Sequence, residues 1–226
     1  MRDVEQQAYL LHSRPFKDNQ VIAEFLTKDL GKVAAVTYVS SSSKHSKKAI
    51  LQPFIPLVIT LKGKGNLKSA SAIEATGKSF VLAGTHLFSA LYVNELQCKL
   101  LTESVPSPLL FDFYQETISR LAQQQEVEPI LRAFEWQLLQ ELGYALDFSS
   151  LEHLKCQYCQ FLPDVGFIAF EQSNQGSALE RSHLLAIANE QALDKAAMQT
   201  FKLLMRQVIH YLLDGRPLNS RKLFTR

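Results

Sequence analysis

Between Gly31 and Ala75, three apolar runs alternate with polar turns, at residues 33–39, 54–61 and 67–73. Val33, Ala35, Thr37 and Val39 alternate with Lys32, Ala34, Val36 and Tyr38, and Ile55, Leu57, Ile59 and Leu61 also step by two. This is the period of a strand with one buried face. Gly63 and Gly65, in the turn KGKGN, suit a hairpin that needs positive φ. Upstream, residues 6–14 predict a first strand ended by Pro15, and residues 21–27 a second. Asp18 and Asn19 supply the turn between them. Five short strands and no helix longer than a turn predict a small antiparallel barrel or sheet over residues 1–78. A five-stranded OB-type barrel is the architecture of this size most used for single-stranded nucleic acid, with an SH3-like barrel as its competitor.

From Gly84 the period changes. Phe88, Tyr92, Leu96 and Leu100 step by four, which predicts a helix over residues 86–101. Leu110, Phe113, Thr117, Ile118 and Leu121 share the face of a second helix. A third starts near Pro129, carries Leu131, Phe134, Leu138 and Leu142, and ends at Gly143. Residues 147–177 read as an irregular insert with a short apolar run at 166–170. Helices over 178–189 and 191–213 follow, and Gly215 and Pro217 stop the last. The expected fold is therefore α+β: a barrel domain at 1–78 and a helical domain at 79–226.

Charge changes this picture more than composition does. The net charge of the 226 residues is only +2, and 46 % of them are hydrophobic, enough for a sizeable core. Residues 1–78, however, hold 12 Lys and Arg against 6 Asp and Glu. Residues 79–194 hold 5 against 15, and residues 195–226 hold 7 against 1. Basic ends and an acidic middle predict an anionic partner for the ends and a different one for the middle. Candidate phosphate contacts are Arg14, Lys17, Lys32, Lys44, Lys47, Lys48, Lys62, Lys64 and Lys68, with Phe16 and Tyr38 nearby to stack bases. Phe54, beside two prolines on a strand, is the better core residue.

Other chemistry is sparse. There is no phosphate-binding Gly-rich Lys-Ser/Thr loop, no HExxH and no GxSxG. The six histidines are scattered, so an enzyme has little support. Cys156 and Cys159 form one CxxC, with His153 three residues earlier and His183 a remote fourth donor. A structural zinc site takes four ligands, and no second CxxC follows, so two reduced thiols are the favoured reading. No run approaches a membrane span, and no secretory signal opens the chain. Three cysteines, an odd count, fit a reducing cytoplasm.

A series of motifs in chain order now resembles one family. YLLHSRPFKDNQVIAEFLTKDLGKV, LQPFIPL at 51–57 and KGKGNLKSASAIEA resemble the barrel strands of the RecO family of bacterial recombination mediators. LYVNEL at 91–96, LRAFE at 131–135 with ELGY at 141–144, Gly166-Phe167 and RPLNSRKLF at 216–224 continue the resemblance. It implies an OB-fold domain followed by a helical one, binding of single- and double-stranded DNA, annealing of complementary strands, and no catalysis. It implies RecR as partner, in loading RecA on DNA coated by single-strand-binding protein (SSB). A cytoplasmic, nucleoid-associated protein is expected. The matched basic residues near the end, Arg216, Arg221 and Lys222, join the candidate DNA contacts. Some members carry a four-cysteine zinc module in the insert, of which only the Cys156/Cys159 pair stands here, so no cofactor is expected. The serine run 40–43 replaces the basic residues that usually follow the third strand, which shifts the expected contacts to Lys44, Lys47 and Lys48. Arg132, with Leu131, Leu138 and Leu142, is the candidate seat for the acidic, phenylalanine-terminated SSB tail, because arginine binds a carboxylate with two parallel hydrogen bonds. The competing reading pairs Arg132 with Glu128 or Glu135 on its own helix. An RNA-binding OB protein is the alternative function, and a metal-dependent hydrolase around His153, Cys156 and Cys159 a third.

Overall fold

The computed structural model describes residues 3–39, 47–171 and 177–225. Two compact units form: Met1–Val127 with Leu218–Arg226, and Glu128–Pro217. In the first unit, β1 (Val4–Lys17), β2 (Gln20–Thr27), β3 (Gly31–Tyr38), β4 (Leu57–Lys62) and β5 (Leu67–Ala75) close a barrel in the order β1-β2-β3-β5-β4. β3 pairs parallel with β5, and the first half of β1 closes on β4. That is the OB-type order, so the SH3-like competitor falls away. Ala8, Leu10, Ala23, Phe25, Val33, Ala35, Leu57, Ile59, Leu61 and Ile73 point inward and form its core.

The first strand is longer than its sequence suggests. Pro15 does not end it but pairs with Val21, next to a register irregularity between Pro15 and Lys17. A bulge near a hairpin tip is where a strand tolerates the missing N–H of proline. The fourth strand starts at Leu57 rather than at residue 54, because Phe54 takes φ 66° in a turn flanked by Pro53 and Pro56. Phe54 is nonetheless buried. A single-turn helix, α1 (Lys47–Ile50), precedes that turn.

In the middle of β1, Ala8 to Leu11 are buried consecutively, breaking the alternation. The reason is that α2 (Gly84–Leu100) and α3 (Pro108–Ala122) cover the outer face there. The Tyr9 ring packs on Phe111 and Tyr114 at 5.5 and 5.1 Å. Asn94 of α2 donates to Leu11 O at 3.1 Å and accepts from Tyr114 Oη at 2.8 Å. A buried amide satisfied on both sides fixes helix against strand. Gly31, at φ 68°, opens β3 beneath the α2–α3 loop, where an added Cβ would lie 1.8 Å from Val105 O. No other residue fits that approach.

The C-terminal segment of this unit, the 3-10 helix Asn219–Thr225, is held by one carboxylate. Glu95 accepts from Asn219 N and Ser220 N, both at 2.8 Å, and from Ser220 Oγ at 2.7 Å. Burial alone would raise the Glu95 pKa. The hydrogen bonds from Ser220 and Asn219, with Lys99, outweigh it and hold the carboxyl below its ordinary range.

The second unit contains most of α4 (Val127–Glu141), then a 3-10 turn at Ser149–Glu152, β6 (Tyr158–Leu162), β7 (Gly166–Phe170), β8 (Leu179–Glu180), α5 (Arg181–Ala188) and α6 (Lys195–Leu212). The insert expected to be irregular is a three-stranded sheet in the order β7-β6-β8. Its strands are too short, and its central one too mixed in sequence, to show a period. Phe167 stacks on Phe148 at 5.0 Å and meets Phe161 at 5.2 Å, while Trp136 joins Phe148 to Phe201. The last helix starts at Lys195, not residue 191, because the Asp194 side chain accepts from Ala197 N at 2.7 Å and caps it.

Candidate nucleic-acid interface

The two strands β1 and β2 turn through Asp18 and Asn19, with Lys17 opposite Gln20. Asn19 takes φ 57°, a left-handed conformation that asparagine tolerates. Gln20 in turn pairs with Tyr38, and Val39 N donates to Asn19 O at 2.8 Å, so the end of β3 is tied to the hairpin tip. Register therefore gathers Arg14, Phe16, Lys17 and Tyr38 at one end of the barrel, all exposed. Phe16 is 44 % exposed and Tyr38 65 %, high for aromatic side chains in a barrel with a filled core. The Lys17 ammonium sits 5.4 Å from the Phe16 ring centre. Neither Arg14 nor Lys17 has a carboxylate partner among the described residues. Uncompensated cations beside open aromatic faces can hold phosphates and stack bases at once.

In the sequence after Val39 come the serine run 40–43 and Lys44, which lie outside the described residues. Lys47 and Lys48 open α1, and their side chains also lie outside the description.

The remaining candidate cations divide sharply. Lys62 and Lys64 lie at the other end of β1, around the β4–β5 turn, because Val4 pairs with Leu61. Lys62 is engaged by Asp3 at 3.0 Å, Lys64 is exposed, and Lys68 donates to Gly65 O at 3.3 Å. Arg221 and Lys222 are exposed on the segment that Glu95 holds. Arg216, in the second unit, is exposed and donates from Nε to Leu213 O at 3.0 Å.

Lys32 leaves the surface set altogether. It is 7 % exposed, and its Nζ donates to Cys98 O at 2.7 Å, in the last turn of α2. A cation there satisfies an orphan carbonyl and the negative end of the helix dipole. Its position opposite Leu26 in a strand gave no sign of this.

Arg132 is also interior, at 6 % exposure. Its Nη2 donates to Glu135 Oε1 at 2.5 Å, and its Nε lacks a hydrogen-bond partner among the described residues. Leu138 is buried, and Leu131 and Leu142 are half-buried. The side chain is thus engaged within its own helix, as the second of the two sequence readings has it. Glu128, the other carboxylate considered, is bonded to Lys202 instead.

Cys156 and Cys159 bring their sulfurs within 3.6 Å. His153 closes the 3-10 turn, and His183 bonds Thr200 at 2.8 Å and faces Glu180. Among the described residues no third His, Cys, Asp or Glu joins the thiols, so the residues present do not fit a four-ligand zinc module. Burial, with Cys156 alongside, pushes the Cys159 thiol up to about 12. Among the described residues no helix is long and apolar enough to cross a membrane.

Sequence reasoning missed Glu95 and Asn94. Both look like ordinary polar positions of a helix, and the backbone groups they hold lie more than eighty residues away.

The family model for the N-terminal part of recombination protein O matches residues 1–78, and that for its C-terminal part matches residues 83–222. The chain is 36 % identical over 221 residues to the DNA repair protein RecO of Coxiella burnetii, covering 96 % of this chain and 95 % of that one. It is 37 % identical over 223 residues to the RecO of Pseudomonas aeruginosa, covering 97 % and 94 %, and 38 % identical to that of Pseudomonas entomophila, covering 97 % and 96 %. With both halves matched and the relatives aligned nearly end to end, this chain belongs to the RecO family of recombination proteins.

Proposed function

We propose that this protein is a recombination mediator in DNA repair. It binds single- and double-stranded DNA, anneals complementary strands and, with RecR, helps load RecA onto SSB-coated single strands. It works by binding rather than by catalysis and needs no cofactor. The observation that carries this, beyond family membership, is the hairpin end of the barrel, where Arg14 and Lys17 lie uncompensated beside exposed Phe16 and Tyr38. Lys44, Lys47 and Lys48, which follow β3 in the sequence, are the further candidates for this role. Their contribution is to phosphates, so it is uniform across sequences.

The SSB tail enters this proposal with a condition. Arg132 is buried, with Nη2 bonded to Glu135. Peptide binding at that point therefore requires the surroundings of the guanidinium to open.

The test is annealing of complementary strands precoated with SSB, with and without the protein. Acceleration is expected, and lost acceleration when Arg14, Lys17, Phe16 and Tyr38 are all changed to Ala. An unchanged rate with the parent protein would rule out the mediator role. Preference for RNA over DNA of matched sequence would favour the RNA-binding alternative, since the 2′-hydroxyl is what such a protein reads.

A further inference from the structure

The CxxC of the second unit stands, among the described residues, without the further ligands that would make it part of a metal site. Cys159 lies inside β6, opposite Ala169 of β7 and Leu179 of β8, and is fully buried. Cys156 lies just before that strand and is half-buried. The two sulfurs are 3.6 Å apart, while among the described residues no third His, Cys, Asp or Glu stands with them. A disulfide needs about 2.05 Å between sulfurs, so an approach of roughly 1.5 Å by the residue outside the strand suffices. The third cysteine, Cys98, lies in the first unit, on α2.

We propose that Cys156 and Cys159 form a redox modification site that exchanges with small-molecule disulfides such as oxidised glutathione. Accessibility assigns the roles. The Cys156 thiolate attacks one glutathione sulfur, the glutathione disulfide bond breaks, and one glutathione leaves as thiolate. Cys156 then carries a mixed disulfide. Cys159 then attacks the Cys156 sulfur, the bond from Cys156 to glutathione breaks, and the departing glutathione sulfur takes the proton that Cys159 gives up. Two protein thiols become one disulfide, and one glutathione disulfide becomes two thiols. The product ties Cys156, two residues ahead of β6, to the central strand of the β7-β6-β8 sheet.

The full-length protein is incubated with oxidised glutathione and analysed by intact mass and by tryptic mapping after alkylation. Both cysteines fall in one tryptic peptide, since Lys155 precedes Cys156 and Arg181 is the next cleavage point. The expected result is the loss of two hydrogens from that peptide, with no alkylation of it and no lasting glutathione adduct. Cys159→Ser should trap glutathione on Cys156, and Cys156→Ser should give no adduct on Cys159. Cys98→Ala should leave the reaction unchanged. Wild-type peptide that stays fully alkylatable would overturn the proposal whatever the variants do. So would stoichiometric zinc in the purified protein that blocks oxidation until a chelator removes it.

Discussion

Arg14 and Arg132 both stand among apolar side chains in this sequence, and the structure uses them in opposite ways. Arg14, on the β1–β2 hairpin, is exposed beside Phe16 and lacks a carboxylate partner among the described residues. Arg132, on α4, is buried and bonded to Glu135. Lys17 and Lys32 repeat the contrast within the barrel: one lies over an exposed ring, the other closes a helix terminus. Counting positive residues does not separate these classes. What separates them is whether the fold has already supplied an anion or a carbonyl for each cation.

That division is open to attack by mutation. The largest effect is expected for Arg132→Ala, which leaves Glu135 buried without its charged partner. Loss of one partner of a buried ion pair costs about 3–5 kcal/mol, read as a lower denaturant midpoint, and the double change to apolar residues should recover much of it. Any loss of peptide binding by Arg132→Ala alone is therefore uninformative without a stability measurement. If that variant unfolds at the parent midpoint, the interior assignment fails.

Next come the open aromatics. Phe16→Ala and Tyr38→Ala should each weaken single-strand binding by about 1–3 kcal/mol and duplex binding much less, because only unpaired bases offer a free face for stacking. Fluorescence anisotropy with matched single and double strands decides this. Equal losses on both would mean the rings do not stack bases.

Glu95→Gln should cost about 1–2 kcal/mol, since the hydrogen bonds it accepts become those of a neutral amide on a partly exposed site. The same anchor should be acid-sensitive. The folded pKa of Glu95 is lowered, so its contribution is complete above the ordinary carboxylate pKa of about 4.3 and is lost as pH falls through the folded value. Amide exchange at Asn219 and Ser220 should rise over that window in the parent and show no such step in Glu95→Gln. The smallest effect is expected for Lys62→Ala. Its surface pair with Asp3 is worth at most about 1 kcal/mol in stability.

The barrel was legible because its strands alternate, and because Gly63 and the Asp18-Asn19 turn mark hairpins. Alternation failed where helices cover the outside of β1, at Ala8 to Leu11. The small sheet in the second unit was invisible because strands of five and two residues carry no measurable period. Within the candidate site, Arg14, Lys17, Phe16 and Tyr38 could be named from sequence, but only register shows that they meet at one end. Lys32 could not be excluded, since its partner is a backbone carbonyl 66 residues away.

The central claim is that the hairpin end of the barrel holds DNA through uncompensated cations. Its most direct test is the salt dependence of single-strand affinity for the parent and for the Arg14→Ala/Lys17→Ala double variant. Each phosphate contact contributes about 0.7 to the slope of log K against log salt on single strands, so the slope should fall by about 1.4. Superimposable lines for parent and variant would contradict the account.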